Sequence, residues 1–203
     1  MLRTSFLTLA VLLIATSAMA APVGFNLTPK DFNAMGVTGA ANAMLSTDWN
    51  EDGWQGTVRS QTFTLSNGKY LYLYQVSNMG PDSMEVFVIR GFMGAETATA
   101  GYLNANLPSG FVAGGVTPLG QSYQASLGNI SYQYPSYNGS QLDPGYSTQT
   151  LFMVASGAST SGVAFVIDGG NPAGAVYVPV PEPTTMAVLL GGVGMAILRR
   201  IRK

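Results

Sequence analysis

A chain of 203 residues with 9 % charged residues, 25 glycines and 11 prolines is long enough for one domain with a real core, and its 47 % apolar content argues against wholesale disorder. It contains neither cysteine nor histidine, which excludes disulfides, thiolate and imidazole metal sites, cysteine nucleophiles and Ser-His-Asp triads. The net charge of −1 hides an uneven distribution: between Ala21 and Pro183 four cations stand against ten carboxylates, a net −6, and so acidic a body is not built for nucleic acid.

The first twenty residues have the three parts of a secretory signal. Arg3 supplies the positive start, Phe6 to Ile14 the short apolar stretch, and Ala18-Met19-Ala20 a small-x-small cleavage site, so residues 1–20 are expected to be removed and Ala21 to become the mature N-terminus. Signal peptidase and the secretion machinery are the partners this implies, and export the destination. Residues 31–45 carry an ambiguous pattern, consistent with a short helix or turns.

From Gly56 onward the pattern is β. GTVRSQTFTL and KYLYLYQVS are separated by Ser66-Asn67-Gly68, and Asn-Gly between alternating runs is a strong hairpin signal. In the second run Tyr70, Tyr72, Tyr74 and Val76 share one face and Leu71 and Leu73 the other, which predicts a central strand with two apolar faces. Further strands are predicted in MEVFVIRGF from Met84, GFVAGGV from Gly110, SYQASL from Ser122, NISYQY from Asn129, TLFMVAS from Thr150, GVAFVIDGG from Gly162 and AVYVPV from Ala175. Short strands divided by Gly, Pro, Asn and Ser clusters predict an all-β fold. The expected architecture is a single antiparallel β-sandwich or jelly-roll-like domain over residues 21–178.

Two stretches of the body could carry a ligand. In Asp48-Trp49-Asn50-Glu51-Asp52-Gly53-Trp54, oxygen ligands at Asp48, Asn50 and Asp52 followed by glycine resemble the start of a Ca²⁺ loop. The twelfth position of a full loop is Arg59 rather than glutamate, so Ca²⁺ is the one cofactor to weigh against none, with a polar turn as the plainer reading. In NISYQYPSYNGSQLDPGY, Tyr132, Tyr134 and Tyr137 stand among amides and hydroxyls, a composition suited to carbohydrate and equally to strand packing. The carboxylates form no pair of the kind a glycosidase needs. No catalytic residue emerges, and a non-enzymatic protein is expected.

The C-terminus reads Val180-Pro181-Glu182-Pro183, then 15 uncharged residues from Thr184 to Leu198, then Arg199, Arg200, Ile201, Arg202 and Lys203. As a helix the apolar stretch spans about 22 Å, short of the ~30 Å bilayer core, and the terminal cations would stay cytoplasmic. Motif, apolar segment and basic tail, in this order and at this terminal position, closely resemble the PEP-CTERM sorting signal of Gram-negative bacteria, here residues 179–203. The resemblance covers only this tail. It implies recognition and cleavage near Pro-Glu-Pro by an exosortase, a membrane transpeptidase, after transient anchoring in the inner membrane. It also implies a final place at the cell surface or outside it, in a setting of exopolysaccharide and biofilm. An exported matrix protein and a surface module binding Ca²⁺ or carbohydrate are the two functions these features leave standing.

Overall fold

In the computed structural model the described residues are 23–24, 27–51, 54–92, 100–124, 128–136, 139, 141–167 and 173–180. Their strands are β1 (Val23–Gly24), β2 (Thr28–Asp31), β3 (Val37–Ala40), β4 (Leu45–Glu51), β5 (Trp54–Leu65), β6 (Tyr70–Asn78) and β7 (Val86–Arg90). They continue with β8 (Ala100–Ala105), β9 (Gly120–Gln124), β10 (Asn129–Gln133), β11 (Thr150–Ala155), β12 (Ser159–Ile167) and β13 (Ala173–Pro179), and one 3-10 helix lies at Phe32–Met35. The signal segment 1–20, with Ala18 and Ala20, falls outside the described residues, as do Ala21 and the tail from Pro181 onward.

Two sheets face each other. The first runs β1-β9-β10-β7-β12-β13, and the second β2-β8-β11-β6-β5-β3 with β4 paired to β5. The all-β sandwich expected from the sequence is therefore present. Its second sheet is mixed rather than antiparallel, because β2 runs parallel to β8. Strand β1 stands at one edge of the first sheet and β2 at one edge of the second.

The hairpin β5–β6 forms as its sequence dictates. Gly68 takes φ +78°, its amide donates to Leu65 O at 3.0 Å, and Leu65 N donates to Lys69 O at 2.9 Å, a three-residue loop closed by a left-handed glycine. Beyond it β6 is buried along most of its length. Tyr72, Tyr74 and Val76 enter the main core between the sheets with Phe87, Ile89, Ile130, Tyr132, Leu151 and Met153. Leu71 and Leu73 enter a second core with Phe63, Leu103 and Phe152, covered by Phe32, Met35 and Met44. The 3-10 helix supplies that cover: Asp31 caps its start by accepting from Asn33 N, Gly36 ends it at φ +71°, and Phe32 meets Phe63 edge-on at 5.1 Å.

GFVAGGV, expected as a strand, is a strap across the second sheet. Gly110 and Gly114 adopt φ +90° and +80°, angles that interrupt a ladder. The buried amide of Gln75 holds the strap, donating to Val112 O at 2.7 Å and accepting from Val112 N at 2.9 Å. Gly115 lies against the Thr148 main chain where a Cβ has no room, and Val116 forms only an isolated bridge to Thr148. Conversely β8 and β4 are strands that sequence reading left as loop, the first because AGYLNA carries little apolar alternation.

Buried phenols link the layers. Tyr72 Oη donates to Gly157 O and Tyr74 Oη to Tyr177 O, each at 2.6 Å. Burial pushes the phenols of Tyr72, Tyr74, Tyr132 and Tyr134 well above the ordinary value, which is about 10. A raised folded pKa means that the folded chain keeps protons the unfolded chain gives up. The associated stability is complete below about pH 10 and is lost as pH rises toward the folded values. These four tyrosines should resist ionisation until the domain unfolds. Absorbance at 295 nm and far-ultraviolet circular dichroism, followed together up the alkaline range, should show one shared step for this group. A smooth titration of all tyrosines with the β signal intact would contradict the burial.

Candidate functional site

Asp48 and Asn50 project from β4, an extended strand on which Trp49 between them is buried and they are exposed. Side chains two apart on a strand stand about 7 Å apart along one face instead of converging as ligands do in a tight loop. Asp48 Oδ1 accepts from Thr57 Oγ1 at 2.9 Å, its cross-strand partner. Glu51 pairs with Trp54, which leaves Asp52 and Gly53 between paired positions; Asp52 lies outside the described residues. Among the described residues no group of three or more acidic side chains gathers at one point.

The tyrosine expectation is corrected. Tyr132 and Tyr134 have no exposed surface, so no sugar can stack on either ring in this fold. Tyr132 projects inward from β10, parallels Phe87 with centroids 6.3 Å apart, and donates to Phe152 O at 3.3 Å. Tyr137 lies outside the described residues. Among the described tyrosines of this segment, Tyr146 faces solvent at 60 % exposure. Period-two alternation brings Tyr132 and Tyr134 to the same side, and the adjoining apolar residues Ile130 and Leu142 join them in the core.

Beside that segment is a polar knot. Asp143 Oδ1 accepts from Ser83 Oγ at 2.7 Å and from Gln141 Nε2 at 2.8 Å. The Ser83 hydroxyl and then the Gln141 amide hold the Asp143 carboxyl below the usual carboxylate range. The knot fastens the loop after β6 to the segment before β11.

An open ligand-sized depression among the described residues lies elsewhere, on the outer face of the first sheet. Residues 163–167 of β12 are Val-Ala-Phe-Val-Ile, apolar at every position. Ala164 and Val166 point into the main core. Val163, Phe165 and Ile167 point outward, with Val163 and Ile167 at 47 % and 46 % exposure. With Ala173 of β13 and Arg90 of β7 they line an open depression of about 850 Å³, within the range of small-molecule sites. The Arg90 guanidinium lies 4.5 Å from the Phe165 ring centroid, a cation held over an aromatic face. Arg90 is opposite Val163 on one side and Asn129 on the other. The sequence signal was the continuous apolar run of β12, which marks two apolar faces exactly as the run of β6 does but does not say whether the second is covered.

No helix among the described residues is long and apolar enough to cross a membrane; residues 184–198 are outside them. No protein-family model matches the chain, and no curated protein or solved structure matches it.

The polar knot makes a direct prediction. Ser83→Ala removes the larger cause of the Asp143 shift, so the Asp143 pKa should rise toward the ordinary carboxylate value. The depressed pKa contributes stability above the unfolded value and loses it as pH falls through the folded one, so the variant should lose its share at a higher pH than the parent. Carboxyl-carbon NMR titration of Asp143 reads this; an unchanged midpoint would show that Ser83 does not hold the charge.

Proposed function

We propose that the chain is an exported, non-enzymatic surface or extracellular-matrix protein, delivered by residues 1–20 and sorted through residues 179–203. In this reading Val180, Pro181, Glu182 and Pro183 form the motif presented to an exosortase-type transpeptidase. Residues 184–198 hold the chain briefly in the inner membrane, and Arg199, Arg200, Arg202 and Lys203 keep its end cytoplasmic. Exopolysaccharide is the surrounding material.

The observation that carries the reading is in the sequence: a signal-like start at residues 1–20, and a Pro-Glu-Pro motif, an apolar stretch and a basic tail in that order at residues 179–203. Among the described residues the last main-chain hydrogen bond runs from Val180 N to Ala158 O at 2.7 Å, and the first strand begins at Val23. The ladder bonds of the described strands lie inside residues 23–180, so the described fold does not draw on either end. Two apolar cores in place of disulfides suit a domain that works outside the cell without cysteine.

Intact-mass and terminal-peptide analysis of the protein recovered from outside host cells tests this. The expected species starts at Ala21 and ends within or near Pro181–Pro183, and it should melt at the same temperature as the untrimmed chain. A recovered species that still carries Arg199 to Lys203 would overturn the sorting reading and leave a permanent anchor in its place.

A further inference from the structure

Strands β6 and β12 share one sequence property, apolar residues on both faces, and differ in what happens to the second face. The outer face of β6 is closed by a second core under Phe32, Met35 and Met44. Among the described residues nothing comparable closes Val163, Phe165 and Ile167, which leave an apolar strip about 13 Å long, four residues at 3.3–3.4 Å each. This strip lines an open depression of about 850 Å³, a size that suits a small ligand.

The charge laid over its middle, on the Phe165 ring, narrows the ligand. Arg90 is exposed and makes no ion pair with any described carboxylate. The described acidic side chains near β7 are Asp82, Glu85 and, through Ser83, Asp143, and they belong to the start of the strand; Arg90 is its last residue. A guanidinium stacked on Phe165 keeps its edge free for an anion, and a carboxylate matches its paired donors. The rest of the described lining, Gly91, Gly162, Val163, Phe165, Ile167 and Ala173, offers no side-chain hydrogen bond, so a neutral sugar would leave its hydroxyls unmatched by side chains there.

We infer that this face binds a monomeric, single-chain amphiphile with a carboxylate head, its head on Arg90 above Phe165 and its chain against the exposed side chains of Val163 and Ile167. The inference concerns the body alone and stands whether or not the ends are removed.

Titration calorimetry of the full chain with sodium laurate below its micelle concentration is the test, with dodecyltrimethylammonium as the oppositely charged control. One laurate should bind per chain, with no comparable binding of the cationic control. Arg90→Gln should weaken laurate about tenfold, the ordinary cost of a charge-assisted contact, while Arg90→Lys keeps most of the affinity. The methyl resonances of Val163 and Ile167 should shift on binding. Because Arg90 is exposed and makes no ion pair among the described residues, both variants should retain the parent circular dichroism; Val163→Asp supplies a second exposed change that should abolish binding by repelling the head. Absence of laurate binding, equal binding of the cationic control, an affinity indifferent to Arg90→Gln, or binding confined to anionic phosphatidylglycerol vesicles would each overturn the inference.

Discussion

The burial of β6 on both faces is the constraint from which the rest of the architecture follows. A strand that carries tyrosines on one side and leucines on the other cannot leave either side in water without forfeiting roughly 1.5–3 kcal/mol for each large side chain. One side is satisfied by the opposing sheet. The other requires a cover that a two-layer sandwich does not supply, and the chain builds it from the 3-10 helix at Phe32–Met35, from Met44, and from the strap anchored by Gln75. The irregular segments between strands are thus structural parts. Gln75, the polar residue that continues the leucine face, is buried there at 1 % exposure, and its amide is used in full by the strap and by Thr148 O.

Closing the sandwich raises a second demand, since each sheet has edges whose backbone groups invite pairing with another chain. The outer edge of β13 is met from the opposite sheet. Thr47 Oγ1 donates to Ala175 O at 3.0 Å, Ser60 Oγ accepts from Tyr177 N at 3.1 Å, and Tyr74 Oη donates to Tyr177 O. Ser60 and Tyr74 are direct cross-strand partners, so a single position of the β5–β6 ladder serves both backbone groups of Tyr177. The β2 edge uses a different device, exposed Pro29 and Lys30, one lacking a donor and the other charged. Both solutions depend on β6 and β5 being held in register by the two cores.

Much of this was legible in the residues, and the failures have physical reasons. The Asn-Gly hairpin, the two apolar faces of β6 and the strands β10 to β13 were all readable because their alternation or apolar runs are strong. The strap failed because apolar residues between glycines look like a short strand until the positive φ angles of Gly110 and Gly114 are known. Asp48, Asn50 and Asp52 looked like ligands because a list of oxygen donors does not say whether the chain beneath is coiled or extended; Trp49, buried between Asp48 and Asn50, is the mark of period two. Tyr132 and Tyr134 looked available because tyrosine is at home in a core and on a binding face alike. The choice was made by the carbonyl of Phe152 and the stacked ring of Phe87, both remote in sequence.

The same ambiguity explains why the open face could not be found from sequence alone. An all-apolar strand states that both faces seek cover, and the cover for one of them always comes from elsewhere in the chain or from outside it. For β6 the cover is encoded about forty residues upstream and thirty to forty downstream. For β12 the described chain offers Arg90, a single cation laid across Phe165, which leaves Val163 and Ile167 nearly half exposed. A domain that spends three separate segments to hide Leu71 and Leu73 has the means to hide Val163 and Ile167 as well. It lays a cation over Phe165 instead, and that charge gives the open face a preference for an anion.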